Sequence, residues 1–301
     1  MKFTLSETTI DAIRKWKRID TNNPLFNTVR LFLVNPTGLV SLGIIMVYAF
    51  LAIAGPAIAP YNPLALNLSG RLLPPSYAHI MGTDEYGRDI WSRVLYAIRL
   101  DMAIAFLAVS IGYTAGVLLG MISGYFGKFT DHAIMRVMDI LLSFPSILFA
   151  IAIAISIGQG FWTVIIAVSI VSIPGFARVT RSTVLSTKNE LYILAAVSQG
   201  ASRSHIMFKH ILPVAITPTI VLYALNLGAA IIISAGLSFL GVGIPPPTPE
   251  LGSMITSGLQ YVVSGQWWIS IFPGLFIVFI VIAFNMMGDT IREVTDVTLR
   301  R

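Results

Sequence analysis

Six apolar runs dominate the chain, at about residues 39–59, 100–122, 133–157, 161–178, 214–240 and 269–288. A helix needs about 20 mostly apolar residues to cross the hydrocarbon core of a bilayer. Runs of this length predict an all-α integral membrane protein with six transmembrane helices. Composition agrees. The chain is 55% hydrophobic and 11% charged, whereas soluble domains carry roughly 25% charged residues. The third run holds Arg136 and Asp139 near its start and Pro145 inside, and the fourth is short, ending at "SIPGFARVTR". Six basic residues precede the first run and no A-x-A-like cleavage site follows, the pattern of an uncleaved anchor.

Lysine and arginine set the orientation. With alternating spans and both termini on one side, that side holds all but four of the 20 basic residues and is expected to be cytoplasmic. The other side receives Arg71, Arg88, Arg93 and Arg99, close to Asp84, Glu85, Asp89 and Asp101. Loops 60–98 and 241–267 then face outside, with Trp162, Trp267 and Trp268 at the outer interface. The expected organisation is a cytoplasmic N-terminal segment over 1–37, the first span and outer loop over 38–99, a core over 100–290 with a cytoplasmic segment at 179–213, and a cytoplasmic tail over 291–301.

The loops carry local signals. "LFNTVRLFLVNP", 25–36, has apolar residues at helical spacing with Asn27 and Arg30 on the other side, which suits an amphipathic helix on the membrane surface. "GTDEYGRDIWSRVLYAIR", 82–99, does not fit a calcium loop. It is better read as a charged helix capped by Thr83 or Asp84, with neutralising Asp–Arg pairs. The prolines of "GVGIPPPTPELG", 241–252, forbid a helix there and predict an ordered outer loop without chemistry of its own.

Catalytic and cofactor motifs are missing. There is no phosphate-binding G-x-x-x-x-G-K-[ST], no H-E-x-x-H and no cysteine. His205 and His210 are five apart, which does not place both on one α-helical face, so no metal is expected. No basic stripe with interleaved aromatics points to nucleic acid. The span centres carry almost no ionisable groups, which excludes a proton relay. Asp139 is expected to pair with Arg136 or to snorkel, and Asn226 and Asn285 to hydrogen-bond between helices. A chain without an ATPase motif or a relay is either passive or takes its energy from a partner.

One segment stands apart. "NELYILAAVSQGASRSHIMFKHILPV", 189–214, is far more polar than its flanks. Asn189 or Thr187 is placed to cap a first helix through about Ser198, Gly200 permits a sharp turn, and a second helix runs from Ser202 to Leu212, stopped by Pro213. Ile206, Met207 and Ile211 give it an apolar side; Arg203, Lys209 and His210 flank it. Such a unit is either a docking knob for a partner or an ordinary inner loop lying on headgroups.

"AAVSQGASRSHIMFKHILP", 195–213, resembles the EAA loop of ABC importer permeases. "MGTDEYGRDIWSRVLYAIRL", "MRVMDILLSFPSILFAIAIA", "LSFLGVGIPPPTPELGSM" and "FPGLFIVFIVIAFNMMGDTIREVTD" resemble the C-type permease subunit of the dipeptide/oligopeptide/nickel branch, from about Asn35 to the C-terminus. The resemblance implies the type I importer permease fold and a heterodimer with a second, homologous permease subunit. It also implies two cytoplasmic ATPase subunits that bind ATP and Mg, and an extracytoplasmic binding protein that delivers solute. This chain itself would bind no cofactor and catalyse nothing. By position, Ala195, Ala196, Gly200, Ala201, Ser202, Leu212 and Pro213 should form the coupling element. The family's Glu before the two alanines is Leu194 here. Members of the branch carry peptides, nickel chelates, glutathione or oligosaccharides; peptides are the expected solute.

Overall fold

The computed structural model describes residues 24–299; residues 1–23 of the expected N-terminal segment and the last two of the tail lie outside the described residues. Apart from an isolated bridge between Thr83 and Asp89, the regular structure among the described residues is helical. Helix α1, Pro24–Val34, covers the expected amphipathic stretch; the Asn27 side chain lies outside the described ones. Helix α2, Pro36–Ile58, is capped by Asn35, whose side-chain oxygen accepts the N–H groups of Thr37 and Gly38.

Helix α3 runs over Ile90–Phe126. Its 37 residues extend about 55 Å at 1.5 Å per residue, well beyond a hydrocarbon core of about 30 Å. Its cap is Asp89, which accepts the Ser92 N–H at 2.8 Å, and not Thr83 or Asp84. Asp84 is spent instead on a tight turn, accepting the N–H groups of Tyr86 and Arg88.

The expected third span, 133–157, is broken. Helices α4, Lys128–Leu142, and α5, Ser146–Ile157, meet at 93°. Pro145 lacks an N–H and disfavours helical backbone in the residue before it, so the chain turns there. Helix α6, Phe161–Thr187, outruns its expected end at 178 and carries Pro174 inside it. Helix α7 is Leu191–Ser198 and helix α8 is Arg203–Phe239, with a π-helical turn at Ile206–Ile211. Helix α9, Leu251–Val262, was not legible in the outer loop, and helix α10 is Trp268–Leu299.

Glycines set the central packing. Gly112, Gly116, Gly120 and Gly124 recur every fourth residue, on one face of α3. They lie against Ser169 and Ser172, Ile173 and Phe176, Ala177 and Thr180, and Arg181 and Val184 of α6. Both sets of numbers rise together, so α3 and α6 are parallel. A Cβ on Gly120 would stand 2.4 Å from the Ala177 carbonyl oxygen, so the two backbones touch here. Parallel neighbours require the intervening chain to return the full length between them. The bent α4–α5 pair makes that return and serves as a sixth crossing beside the five continuous spans among the described residues.

Helix α2 is antiparallel to α10, with Tyr48 Oη donating to the Phe276 carbonyl at 2.7 Å and Asn35 Nδ2 to Glu293 Oε2 at 3.0 Å. Helix α8 is antiparallel to α3, pairing Ser110 with Tyr223 and Tyr113 with Thr219. The main core gathers Ile98, Val109, Ile165, Phe176, Leu227 and Phe284. The Asn35–Glu293 bond brings both described ends of the chain to one end of the bundle, the base. Lys188 Nζ donates to the Gly124 carbonyl there, so segment 188–202 is also at the base. Loops 59–89 and 240–250, with α9, lie at the opposite end, the cap.

Three smaller expectations change. Asp139 pairs with Arg178 at 2.6 Å, with both side chains half exposed, because α6 extends past 178 and lies alongside α4. Asn226 donates to the Leu222 carbonyl one turn back in its own helix, and Asn285 is exposed. Trp268 is buried, its indole N–H reaching the Thr83 carbonyl at 3.4 Å, while Trp162 and Trp267 stay exposed.

Candidate functional site

The base segment forms a compact helix–turn–helix. The N-terminal position of α7 is Glu190, whose side chain makes no capping bond; Thr187 still belongs to α6, so neither expected cap is used. Gly200 has φ +82°, a left-handed conformation that costs an L-side chain about 1–2 kcal/mol. Its N–H and that of Ala201 close the turn on the carbonyls of Val197 and Ala196. Ser202 then caps α8 by accepting the His205 N–H.

The second helix does not stop at Pro213. It continues unbroken to Phe239. The Leu212 N–H bonds the Met207 carbonyl, five residues back, so the turn is widened just ahead of the proline. A proline ring otherwise meets the carbonyl four residues back, and a widened turn relieves that contact. The same turn changes the histidines. In a π-turn, residues five apart stack, and the rings of His205 and His210 stand 5.5 Å apart, on one face after all.

A shallow groove of ≈ 440 Å³ opens on this unit, lined by Tyr192, Ala195, Ala196, Gln199, Gly200, Ala201, His205 and His210. Of the seven expected site residues, Ala195, Ala196, Gly200 and Ala201 line it. Ser202 holds the turn at its edge. Leu212 packs into a small core below, and Pro213 is exposed one residue further along α8. Tyr192 and Gln199 were missed, although with Ala195 and Ala196 they follow i, i+3, i+4, i+7 spacing, which marks one helix face. Beneath the groove, Ile193, Ile206, Met207 and Ile211 form a buried cluster with Val117 and Met121 of α3 and Val184 of α6. Above it, α7 leaves large apolar side chains uncovered: Leu191 is 82% exposed, and Tyr192, Leu194 and Val197 are each about half exposed.

At the cap, the acids considered for a metal are engaged with the protein. Asp84 pairs with Arg88 at 2.7 Å and lies 3.6 Å from Arg93, which supplies the expected Asp–Arg neutralisation. Asp89 is shared between Ser92 and His79 Nδ1, the latter at 2.9 Å. Burial pushes the Glu85 carboxyl above the usual range, and its Oε2 has no partner among the described residues. Arg93 ties the two cap loops together, donating to the Pro63 and Pro247 carbonyls.

Residues 116–301 match the family described as binding-protein-dependent transport system inner membrane component. Residues 24–75 match the N-terminal TM domain of oligopeptide transport permease C. The chain is 41% identical over 262 residues to a dipeptide transport system permease protein of Alkalihalophilus pseudofirmus, covering 87% of this chain and 86% of that one. It is 39% identical over 292 residues to a probable D,D-dipeptide transport system permease protein of Escherichia coli, covering 97% of both. Among solved structures, an inward-facing MetNI methionine ABC transporter contains a chain with TM-score 0.53 and 20% identity, covering 67% of this chain and 95% of that chain. That likeness bears on the fold, which is the type I importer permease fold.

Proposed function

Because the chain belongs to the binding-protein-dependent transport system inner membrane components, we propose that it is a permease subunit of an ATP-driven peptide importer, forming half of the translocation pathway. The relatives' names support the solute class: dipeptides, D,D-dipeptides and di/tripeptides. The subunit pairs with a second, homologous permease in the plasma membrane. The base and both termini face the cytoplasm, where two ATPase subunits hold ATP and Mg. The cap receives a solute-loaded binding protein.

The observation that carries this reading is the uncovered apolar surface of α7, set over a groove at the base. An eight-residue helix that keeps Leu191, Tyr192, Leu194 and Val197 exposed suits a protein surface that covers them. Leu194, where the family has Glu, makes this contact apolar rather than ionic. Motion has a physical route onward. The cluster under the groove packs α7 and the start of α8 against α3 and α6, and the glycine stripe holds α3 and α6 together. A partner with two nucleotide-dependent states shifts this unit only through contacts that differ between those states.

Gly200→Val tests the coupling role. A Cβ there meets nothing within 4 Å, so the fold is not crowded, but the left-handed backbone that shapes the turn is opposed. The variant should assemble in the membrane with its partners while nucleotide-driven peptide import falls by about tenfold, equivalent to ~1.4 kcal/mol in the coupled step. Import at the wild-type rate by an assembled Gly200→Val complex refutes the assignment.

A further inference from the structure

Two carboxyl groups from distant parts of the chain converge on the N-terminus of α9. Asp101, on α3, accepts the Leu251 N–H through Oδ2 at 3.2 Å. Glu250 accepts the Gly252 N–H through Oε1 at 3.0 Å and the Ser253 N–H through Oε2 at 2.6 Å. Three consecutive donors of a 12-residue helix are taken by two acids. Both are buried, Asp101 at 5% exposure and Glu250 at 0%. The other Asp101 oxygen, Oδ1, is also buried and has no hydrogen-bond partner among the described residues.

The charges around the pair do not balance two carboxylates. A helix N-terminus supplies roughly half a positive charge. The charged group facing Asp101 is Glu250 itself, and Glu250 meets backbone N–H groups and the hydroxyls of Ser238 and Ser253. From the helices packed on α9, the contacts include Ala235, Ser238 and Phe239 of α8 and Ile269, Ser270 and Gly274 of α10, none of them ionisable. The cations of α3 point elsewhere: Arg93 is bound to Pro63, Pro247 and Asp84, and Arg99 is exposed. Like charges at one buried site oppose each other's ionisation, and an unpaired buried carboxylate is costly.

We propose that Asp101 and Glu250 hold one proton between them, and that this proton fastens α9 and the proline-rich loop before it to the cap end of α3. Burial raises the Glu250 carboxyl above the ordinary glutamate range, against the pull of its amide hydrogen bonds. With the proton bound, the site holds one negative charge, which the helix end offsets in part. Without it, two charges sit on one desolvated helix terminus, and α9 is released. The cap is therefore pinned at lower pH and loosened at higher pH. This goes beyond the importer reading, and its test follows α9 rather than transport, so either can fail alone.

The chain has no cysteine, so a nitroxide can be placed at Val263→Cys, a position 94% exposed at the end of α9. The labelled chain is studied in the assembled transporter with cysteine-free partner subunits, in lipid nanodiscs. The pH is raised from about 5 to about 9, spanning ordinary and burial-raised carboxyls. The label should pass from immobile to mobile in a single transition. Asp101→Asn keeps an oxygen for the Leu251 N–H, whereas Glu250→Gln keeps one of its two accepting oxygens and turns the other into an NH2 group; each removes a titrating carboxyl and should abolish that transition. A wild-type titration without a transition overturns the proposal with no variant needed. A transition that persists unshifted in both variants also overturns it. So does a signal that follows sodium or calcium at fixed pH, which would assign the site to a metal cation.

Discussion

Gly120→Ala places one methyl group between α3 and α6. The added carbon would stand 2.4 Å from the Ala177 carbonyl oxygen and 2.7 Å from Thr180 Cβ. Neither neighbour is the free end of a flexible chain, so the helices must separate locally by several tenths of an ångström or more. Overpacking of this kind costs about 1–3 kcal/mol. Replacing glycine within a helix returns up to ~1 kcal/mol. The net expectation is a loss of about 1–2 kcal/mol, a five- to thirty-fold fall in the folded ratio. Gly175→Ala is the control on the facing helix. Its Cβ would meet only Leu222 Cδ2, at 3.9 Å, so the helix gain stands unopposed. Reversible SDS unfolding in mixed micelles, followed by tryptophan fluorescence, measures both. The parallel, backbone-to-backbone packing of α3 on α6 is refuted if Gly120→Ala proves as stable as Gly175→Ala.

Two further outcomes use the ion pairs and the buried acids. Asp84→Asn takes from Arg88, 7% exposed, its carboxylate at 2.7 Å and leaves it only Glu85 at 3.9 Å, which should destabilise by about 3 kcal/mol. Asp139→Asn breaks a pair that is half exposed and should cost no more than about 1 kcal/mol; equal midpoint shifts in SDS unfolding would contradict this ordering. Glu250 has a raised folded value, so its stabilising contribution is complete below the ordinary glutamate range and is lost as pH rises through the folded value. Unfolding midpoints of wild type should therefore fall with rising pH relative to Glu250→Gln, and parallel curves for the two proteins would exclude a raised Glu250.

The sequence by itself determined the solvent of this protein and the number of its crossings, because apolar run length is a local property set by bilayer thickness. It also placed the turn at Gly200, since a left-handed residue declares itself in one letter. Only tertiary structure decided what depends on partners far away in the chain. The four glycines of α3 were plain to see, but their meaning required α6 to lie parallel and in register beside them. Asp139 chose Arg178 over the neighbouring Arg136 because α6 continues past its apolar run. Helix α8 passed through Pro213 by widening a turn, which also brought edge to face two histidines that regular helical spacing would have kept apart. Asp101 and Leu251 are 150 positions apart, and no periodicity links them. Local backbone preference and hydrophobicity are written residue by residue, whereas a carboxylate's partner and a glycine's neighbour exist only once the helices have packed.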